Sequence, residues 1–251
     1  GRKACDAFEE PLELEISCTS FRPVAPSKGL LDTLMAILSP ELPERGYHLL
    51  GRFVPTRPLE GAKIVDFGPP VGELMVYYIN HTETFTFPVH FPSLRYVAVR
   101  GTYRPKLMED FGVLGAYGLL DDVAQATPAG LVQVRDVVRD RIWTTWGGRT
   151  DDDANHLYLH VRASGASAGR AGTATWLATH PIDWRERSIG RMTGVGAAVG
   201  TVLLARQGGG ALGIVDPERF YDPDEFLTEL TGRHGVAVQG RVDWDETPAR
   251  P

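Results

Sequence analysis

Three glycines and an aspartate offer the most familiar chemistry in this sequence. Gly194, Gly196 and Gly200 give G-x-G-x-x-x-G, and Asp216 follows about 20 residues on, in the manner of a dinucleotide fingerprint. That fingerprint works only directly after a buried strand, because its tight turn must place the pyrophosphate at a helix N-terminus. Here the preceding residues read W-R-E-R-S-I-G-R-M-T, which is no buried strand. The stretch before Asp216, A-L-G-I-V, is short and broken by glycine. The expectation is a helix whose small residues let it pack closely on its neighbour, with no cofactor held by this chain itself.

The histidines are the next candidates. His156 and His160 would share one face of a strand, and with His81, Glu83 and His90 they could form a zinc site of imidazoles and a carboxylate. Their spacings match no strong metal signature and there is no H-E-x-x-H helix, so no metal is expected. A serine nucleophile has no G-x-S-x-G elbow to sit on.

Polar groups at the ends of apolar elements form a better set. Ser27 and Lys28 open a helix, where free backbone N–H groups favour an anion. Asn80, His81 and Glu83 follow an apolar strand directly, and Arg100 and Thr102 close another. Singly, each reads as a cap or a surface charge. Together they are the expected lining of a substrate pocket, in which Lys28 and Arg100 would suit a carboxylate.

The elements that position these residues are legible in outline. Residues 12–18 alternate as L-E-L-E-I-S-C, a half-exposed strand. Residues 28–38 form a helix with Leu30, Leu31, Leu34, Met35 and Leu38 as its stripe, capped by Ser27 and ended by Pro40, after a loop stiffened by Pro23 and Pro26. Residues 47–54, 63–67, 71–79 and 94–103 read as strands. Pro105 opens a helix carrying Leu107, Met108, Phe111 and Leu114, and Thr127-Pro128 opens another with Leu131, Val134, Val138 and Ile142 inside.

An exposed loop with Asp151, Asp152 and Asp153 leads to strands 156–163 and 172–180. Their short Gly/Ser-rich connection predicts an antiparallel hairpin. Met192, Val195, Val199, Val202 and Leu203 share a helical face. Asp222-Pro223-Asp224-Glu225 is a strong helix start with Phe226, Leu227 and Leu230 buried behind it, Gly235 is a stop, and residues 236–242 form a last strand. Strands that mostly pair without crossover helices predict an α+β fold with a mixed, largely antiparallel sheet, in one domain spanning 1–251.

Bulk properties narrow the function classes. The 251 residues are 43% hydrophobic and 23% charged, which is ordinary for a globular core. A net charge of −6 argues against a nucleic-acid partner. No apolar run approaches the ~18 residues of a membrane span, and no secretory leader is visible. Cys5 and Cys18 read as reduced thiols of a cytoplasmic protein. The start at Gly1 reads as that of a fragment or an excised domain.

Four stretches together resemble the C-terminal catalytic part of the saccharopine dehydrogenase family. S-C-T-S-F-R-P-V-A-P-S-K-G-L-L-D-T-L, residues 17–34, resembles the strand, loop and helix that open that domain. V-G-E-L-M-V-Y-Y-I-N-H-T-E-T, residues 71–84, resembles its strand and polar turn. R-G-T-Y-R-P-K-L-M-E-D-F-G-V-L-G-A-Y-G-L-L-D, residues 100–121, resembles its R-G-T-x-R-x-P and G-L-L-D pattern. Residues 193–238 resemble its closing run.

The resemblance implies a fold like the C-terminal domain of glyceraldehyde-3-phosphate dehydrogenase, with helices on one face of the sheet. It implies a domain that binds an amino-acid-like substrate for an NAD(P)-dependent oxidoreductase and often makes a homodimer. The cofactor would sit on a separate N-terminal Rossmann domain, expected to be absent from this chain, which would then be inactive alone. It places Ser27 and Lys28 at a substrate-carboxylate contact and Asn80 and His81 on the turn facing substrate. The H-T-E-T of residues 81–84 departs from the N-R-D-S of the reductases, which argues against saccharopine itself. The alternative is a non-catalytic binding or dimerisation module of the same fold.

Overall fold

The computed structural model describes residues 1–21, 27–39, 44–147, 156–181, 184, 188–207 and 213–248. Pro23, Pro26, Pro40 and the aspartates 151–153 lie outside them. The elements run α1 (Arg2–Cys5), β1 (Glu10–Phe21), α2 (Lys28–Leu38), β2 (Gly46–Leu49), β3 (Arg52–Pro55), β4 (Lys63–Asp66), β5 (Glu73–Tyr78), α3 (Glu83–His90), β6 (Tyr96–Tyr103) and α4 (Pro105–Ala116). They continue with β7 (Ala124–Thr127), β8 (Gly130–Gln133), α5 (Val134–Trp146), β9 (His156–Ser167), β10 (Arg170–Thr179), α6 (Ser188–Gln207), α7 (Pro217–Phe220), α8 (Pro223–His234) and β11 (Ala237–Pro248).

Among the described residues, nine strands form one sheet in the order β11-β10-β9-β1-β6-β2-β3, with the β4–β5 hairpin joined through β5 to β6. Only β1 and β6 run parallel; the other pairings are antiparallel. The fold is thus mixed α/β with a largely antiparallel sheet. The single parallel pair matters for the site, because it ends β1 and β6 at the same edge, with Cys18 beside Gly101 and Ser20 beside Tyr103.

Period-two alternation gives the sheet two unlike faces. Leu14 and Ile16 of β1, Val97 and Val99 of β6, Ala163 of β9 and Ala174 of β10 point to one side. There they pack against Ala4, Cys5 and Phe8 around α1 and Phe87 of α3. The helices gather on this side. Leu31, Leu34, Met35 and Leu38 of α2 join Leu107, Met108 and Phe111 of α4, while Val199 and Leu203 of α6 join Leu230 of α8.

The opposite face carries Glu13, Glu15, Ser17 and Thr19 of β1 in register with Arg162 and His160 of β9 and Arg100 and Thr102 of β6. The β4–β5 hairpin curls over it. Val65, Phe67, Leu74 and Val76 cluster with Tyr158, Phe67 meets the His160 ring edge-on at 6.4 Å, and Lys63 Nζ donates to Glu15 Oε2 at 2.7 Å.

Several predicted elements take another form. Residues 47–54 are two strands, β2 and β3, because Leu50 and Gly51 turn with φ of 48° and 83°. Thr127-Pro128 starts no helix. It forms the turn between β7 and β8, where Thr127 Oγ1 donates to the Gly130 carbonyl at 2.8 Å and Gly130 holds φ of 111°. The helix begins only at Val134, and Leu131 is exposed. The turn after β5 runs straight into α3, a helix that contains Pro88.

The α6 glycines also differ from expectation. All three lie inside the helix. A Cβ at Gly194 or Gly196 would meet nothing within 4 Å, so neither is needed for close packing. Only Gly200 is approached, by the Tyr221 hydroxyl at 3.0 Å from the position of a Cβ.

Candidate functional site

A cleft of about 340 Å³ opens where β1 and β6 end on the helix-covered side. Its floor is Cys18, Ser20, Gly101 and Tyr103. One wall is Leu34, Ile37 and Leu38 of α2 with Met108 of α4. The facing wall is Ile79, Asn80 and His81, and Thr193 of α6 adds a further edge. Gly101 keeps the floor open, since a Cβ there would come within 2.9 Å of Ile79 Cδ1 and 3.4 Å of Cys18 Sγ.

The turn carrying Asn80 and His81 is held at both ends. Ile79 donates its N–H to the Val99 carbonyl at 3.2 Å, continuing the sheet. Thr84, fully buried, donates from Oγ1 to the His81 carbonyl at 2.8 Å, and Phe87 anchors α3 in the core. The His81 imidazole is hydrogen-bonded through Nδ1 to Glu83 Oε2. That bond raises His81 above the ordinary histidine range, against the opposing effect of burial. Burial alone would raise the Glu83 carboxyl, but the bond and charge of His81 hold it below the usual range. The half-exposed imidazole is therefore a protonatable group fixed at the cleft wall, backed by a carboxylate.

The Cys18 thiol offers no nucleophile. Burial, reinforced by the Glu83 charge, pushes it up to about 12, so it stays protonated. Cys5, buried under the sheet, is likewise pushed up to about 12 by burial.

The predicted site residues are not all brought together. Asn80 and His81 reach the cleft; Thr102 borders it, but its position in β6 alternates to the opposite face and its Oγ1 donates to the Tyr103 carbonyl at 3.2 Å. Glu83 backs His81 and also lines a separate apolar cavity of about 430 Å³ against Phe87 and Trp176. Ser27 caps α2, its Oγ accepting from the Leu30 N–H at 3.2 Å. Lys28 points to α5 and pairs with Asp140 at 3.2 Å. Neither contributes to the cleft lining.

Arg100 lies on the opposite face of the sheet. It donates to Glu15 Oε2 at 2.7 Å, the Gly61 carbonyl at 3.0 Å and the hydroxyls of Tyr78 and Tyr96 at 3.0 and 2.7 Å, with its guanidinium 4.4 Å over the Tyr78 ring. Every direction of its fork is occupied by protein. Cys18, Ser20, Thr33, Tyr103 and Thr193 also line the cleft, beyond the residues that the sequence marks as a pocket. For the first two, the signal was the switch from alternating apolar residues to C-T-S at the end of β1.

The histidines do not converge. His160 faces Phe67 on the hairpin side, opposite to His81, and the side chain of His156 lies outside the described residues. Among the described residues, no group of three or more His, Cys, Asp or Glu is placed to hold a metal. No described helix is long and apolar enough to cross a membrane.

No protein-family model matches this sequence, and no curated protein matches it. Solved structures do. Apo saccharopine dehydrogenase (L-Glu forming) from Saccharomyces cerevisiae superposes with a TM-score of 0.57 at 13% identity, covering 93% of this chain and 67% of that one. The fold is saccharopine dehydrogenase-like. At this identity the likeness is one of fold, and it extends over 93% of the chain.

Proposed function

We propose that this chain is the substrate-binding domain of an NAD(P)-dependent oxidoreductase acting on a C–N bond of an amino acid or imine. The observation that carries it is the placing of Asn80 and His81 on one cleft wall, at the strand ends of a saccharopine dehydrogenase-like fold. Such strand-end crevices on a rigid scaffold are where substrates are commonly held.

In this reading Asn80 orients the polar head of the substrate through its amide. His81, whose protonated form Glu83 favours, offers a proton beside the nitrogen that changes its bonding, and Glu83 is a positioning residue that fixes the imidazole. Bound elsewhere, a nicotinamide would supply or accept the hydride. The glycine pattern does not form a dinucleotide loop: Gly194, Gly196 and Gly200 lie within α6 and not in a turn after a strand. We therefore assign the nucleotide to a separate partner domain. The other chain's length beyond the matched 67% supports such a partner.

A second reading, a binding or dimerisation module without chemistry, is favoured by one observation: Lys28 and Arg100 are both engaged away from the cleft. Ligand-detected NMR with α-amino acids, followed by titration with NADH and NADPH, separates the two. The enzyme-domain reading expects amino-acid binding that Asn80→Ala and His81→Ala abolish, with no tight nucleotide binding. Loss of all amino-acid binding would leave the module, and tight NADH or NADPH binding would overturn the assignment of the nucleotide to another domain. Light scattering on the purified chain tests the homodimer.

A further inference from the structure

We infer that the cleft takes a substrate whose side chain is neutral and apolar, not a dicarboxylate or a diamine; this rests on the cleft being the substrate site. The argument is the composition of its walls. Among the described residues that line it, His81 is the sole histidine, and Asp, Glu, Lys and Arg are absent. The α2–α4 wall continues the apolar cluster of Leu31, Leu34, Met35, Leu38 and Met108, to which Leu59, Tyr77 and Ile37 are packed.

Among the described residues, four nearby cations are committed elsewhere. Lys28 pairs with Asp140, Arg139 with Asp32 at 3.3 Å, and Arg100 with Glu15 on the far face of the sheet. Arg45 is fully buried, donates to the Ser39 carbonyl and gives no surface to the cleft.

The amide and the imidazole instead lie together, Asn80 and His81 on the wall facing α2, with hydroxyls at Ser20 on the floor, Thr193 at the edge and, on α2 itself, Thr33. This division orients a ligand. Its amino or imino head meets the Asn80–His81 end, and its side chain lies along Leu34, Ile37 and Met108. A charged side chain placed there would lose its hydration with no counter-charge among the described lining residues to replace it. An aliphatic one gains by burial, roughly fourfold in affinity per methylene. The volume of about 340 Å³ falls within the ~300–1,000 Å³ typical of small-molecule sites.

The test is a set of dissociation constants for the 251-residue chain with L-alanine, L-norvaline, L-norleucine, L-glutamate and L-lysine, measured by ligand-detected NMR. Affinity should rise about fourfold per methylene from L-alanine to L-norleucine, with L-glutamate and L-lysine at least tenfold weaker than L-norleucine. Ile37→Lys should weaken L-norleucine at least tenfold and admit L-glutamate. Ile37→Met, which conserves volume and whose folding is to be checked by circular dichroism, should keep the order of affinities. If L-glutamate or L-lysine binds as tightly as L-norleucine and Asn80→Ala abolishes that binding, the apolar assignment is overturned while the cleft remains the substrate site. If none of the five binds, the substrate-site reading fails and the inference falls with it.

Discussion

The His81 imidazole and the Glu83 carboxylate are bound to each other across one intervening residue, at the point where β5 passes into α3. The pair raises the histidine and lowers the acid. His81 should therefore titrate above its ordinary 6.5, and Glu83→Gln should bring the midpoint down. The pH dependence of the His81 ring-proton shifts in both proteins measures this, and a wild-type midpoint at or below the ordinary value would contradict it. The stability linkage follows with a definite sign. The His81 contribution is full below 6.5 and is lost as pH rises through the raised value. The Glu83 contribution is full above 4.5 and is lost as pH falls through the lowered one. Both act together between pH 4.5 and 6.5, so the stability difference between wild type and Glu83→Gln should be greatest there.

Arg100 is held by Glu15 and two tyrosines under the β4–β5 hairpin, and its removal should act on stability. Arg100→Met removes a donor from the Gly61 carbonyl and from the Tyr78–Tyr96 pair, although the two hydroxyls keep their mutual bond at 2.9 Å and Glu15 keeps Lys63 at 2.7 Å. Breaking such a buried pair costs about 3–5 kcal/mol, and the surviving lysine puts this case near the lower figure. Urea denaturation measures the loss. Amino-acid affinity in the cleft should change far less than stability, because Arg100 reaches the cleft only through Tyr78, which accepts from it and lines the cleft. A large loss of affinity with unchanged stability would place Arg100 in the binding site instead.

What could be read from the sequence divides along a physical line. Signals carried by neighbouring residues were legible. Asp222 accepts from the N–H groups of Asp224 and Glu225 at 2.9 Å, and Gly235 ends α8 at φ of 66°. The β9–β10 hairpin forms as its Gly/Ser-rich connection implied, turning at Ala168 and Gly169. The α2 stripe buries Leu31, Leu34, Met35 and Leu38.

Signals that depend on distant residues were not legible. Alternation along β6 puts Arg100 opposite Val97 and Val99, but only the folding of helices onto one face decides which side holds the cleft. Lys28 at a helix start suits an anion contact by sequence alone, whereas its partner, Asp140, lies on a helix far along the chain. The α3 helix was hidden by Pro88 and by a polar start that looks like a turn. Thr127-Pro128 suits a helix start and a hairpin turn equally, and Gly130 two residues later decides for the turn.

The Asp222 cap gives a local test of α8, which holds Leu230 against α6. Asp222→Ala removes an acceptor for two free N–H groups and should destabilise the protein by about 1 kcal/mol. Asp222→Asn should recover most of that. Thermal denaturation of the three proteins checks both. An alanine variant as stable as wild type would mean that the α8 start is satisfied by water.

The α6 glycines should respond to substitution according to their surroundings and not their pattern. Gly194 and Gly196 have open space where a methyl would go, so alanine there removes backbone entropy from the unfolded chain without a clash. Each change should stabilise the helix by up to about 1 kcal/mol. At Gly200 the same methyl would lie 3.0 Å from the Tyr221 hydroxyl and 3.2 Å from Cζ, tighter than ordinary contact, so Tyr221 must shift and part of the gain is lost. Gly200→Ala should therefore gain less than either of the others, and Gly200→Ala with Tyr221→Phe should recover some of the difference. If Gly194→Ala and Gly196→Ala were destabilising while Gly200→Ala was not, the first two glycines would be needed for close approach by a partner. That outcome, read by chemical denaturation of the four variants, would return the pattern to the role its spacing first suggests.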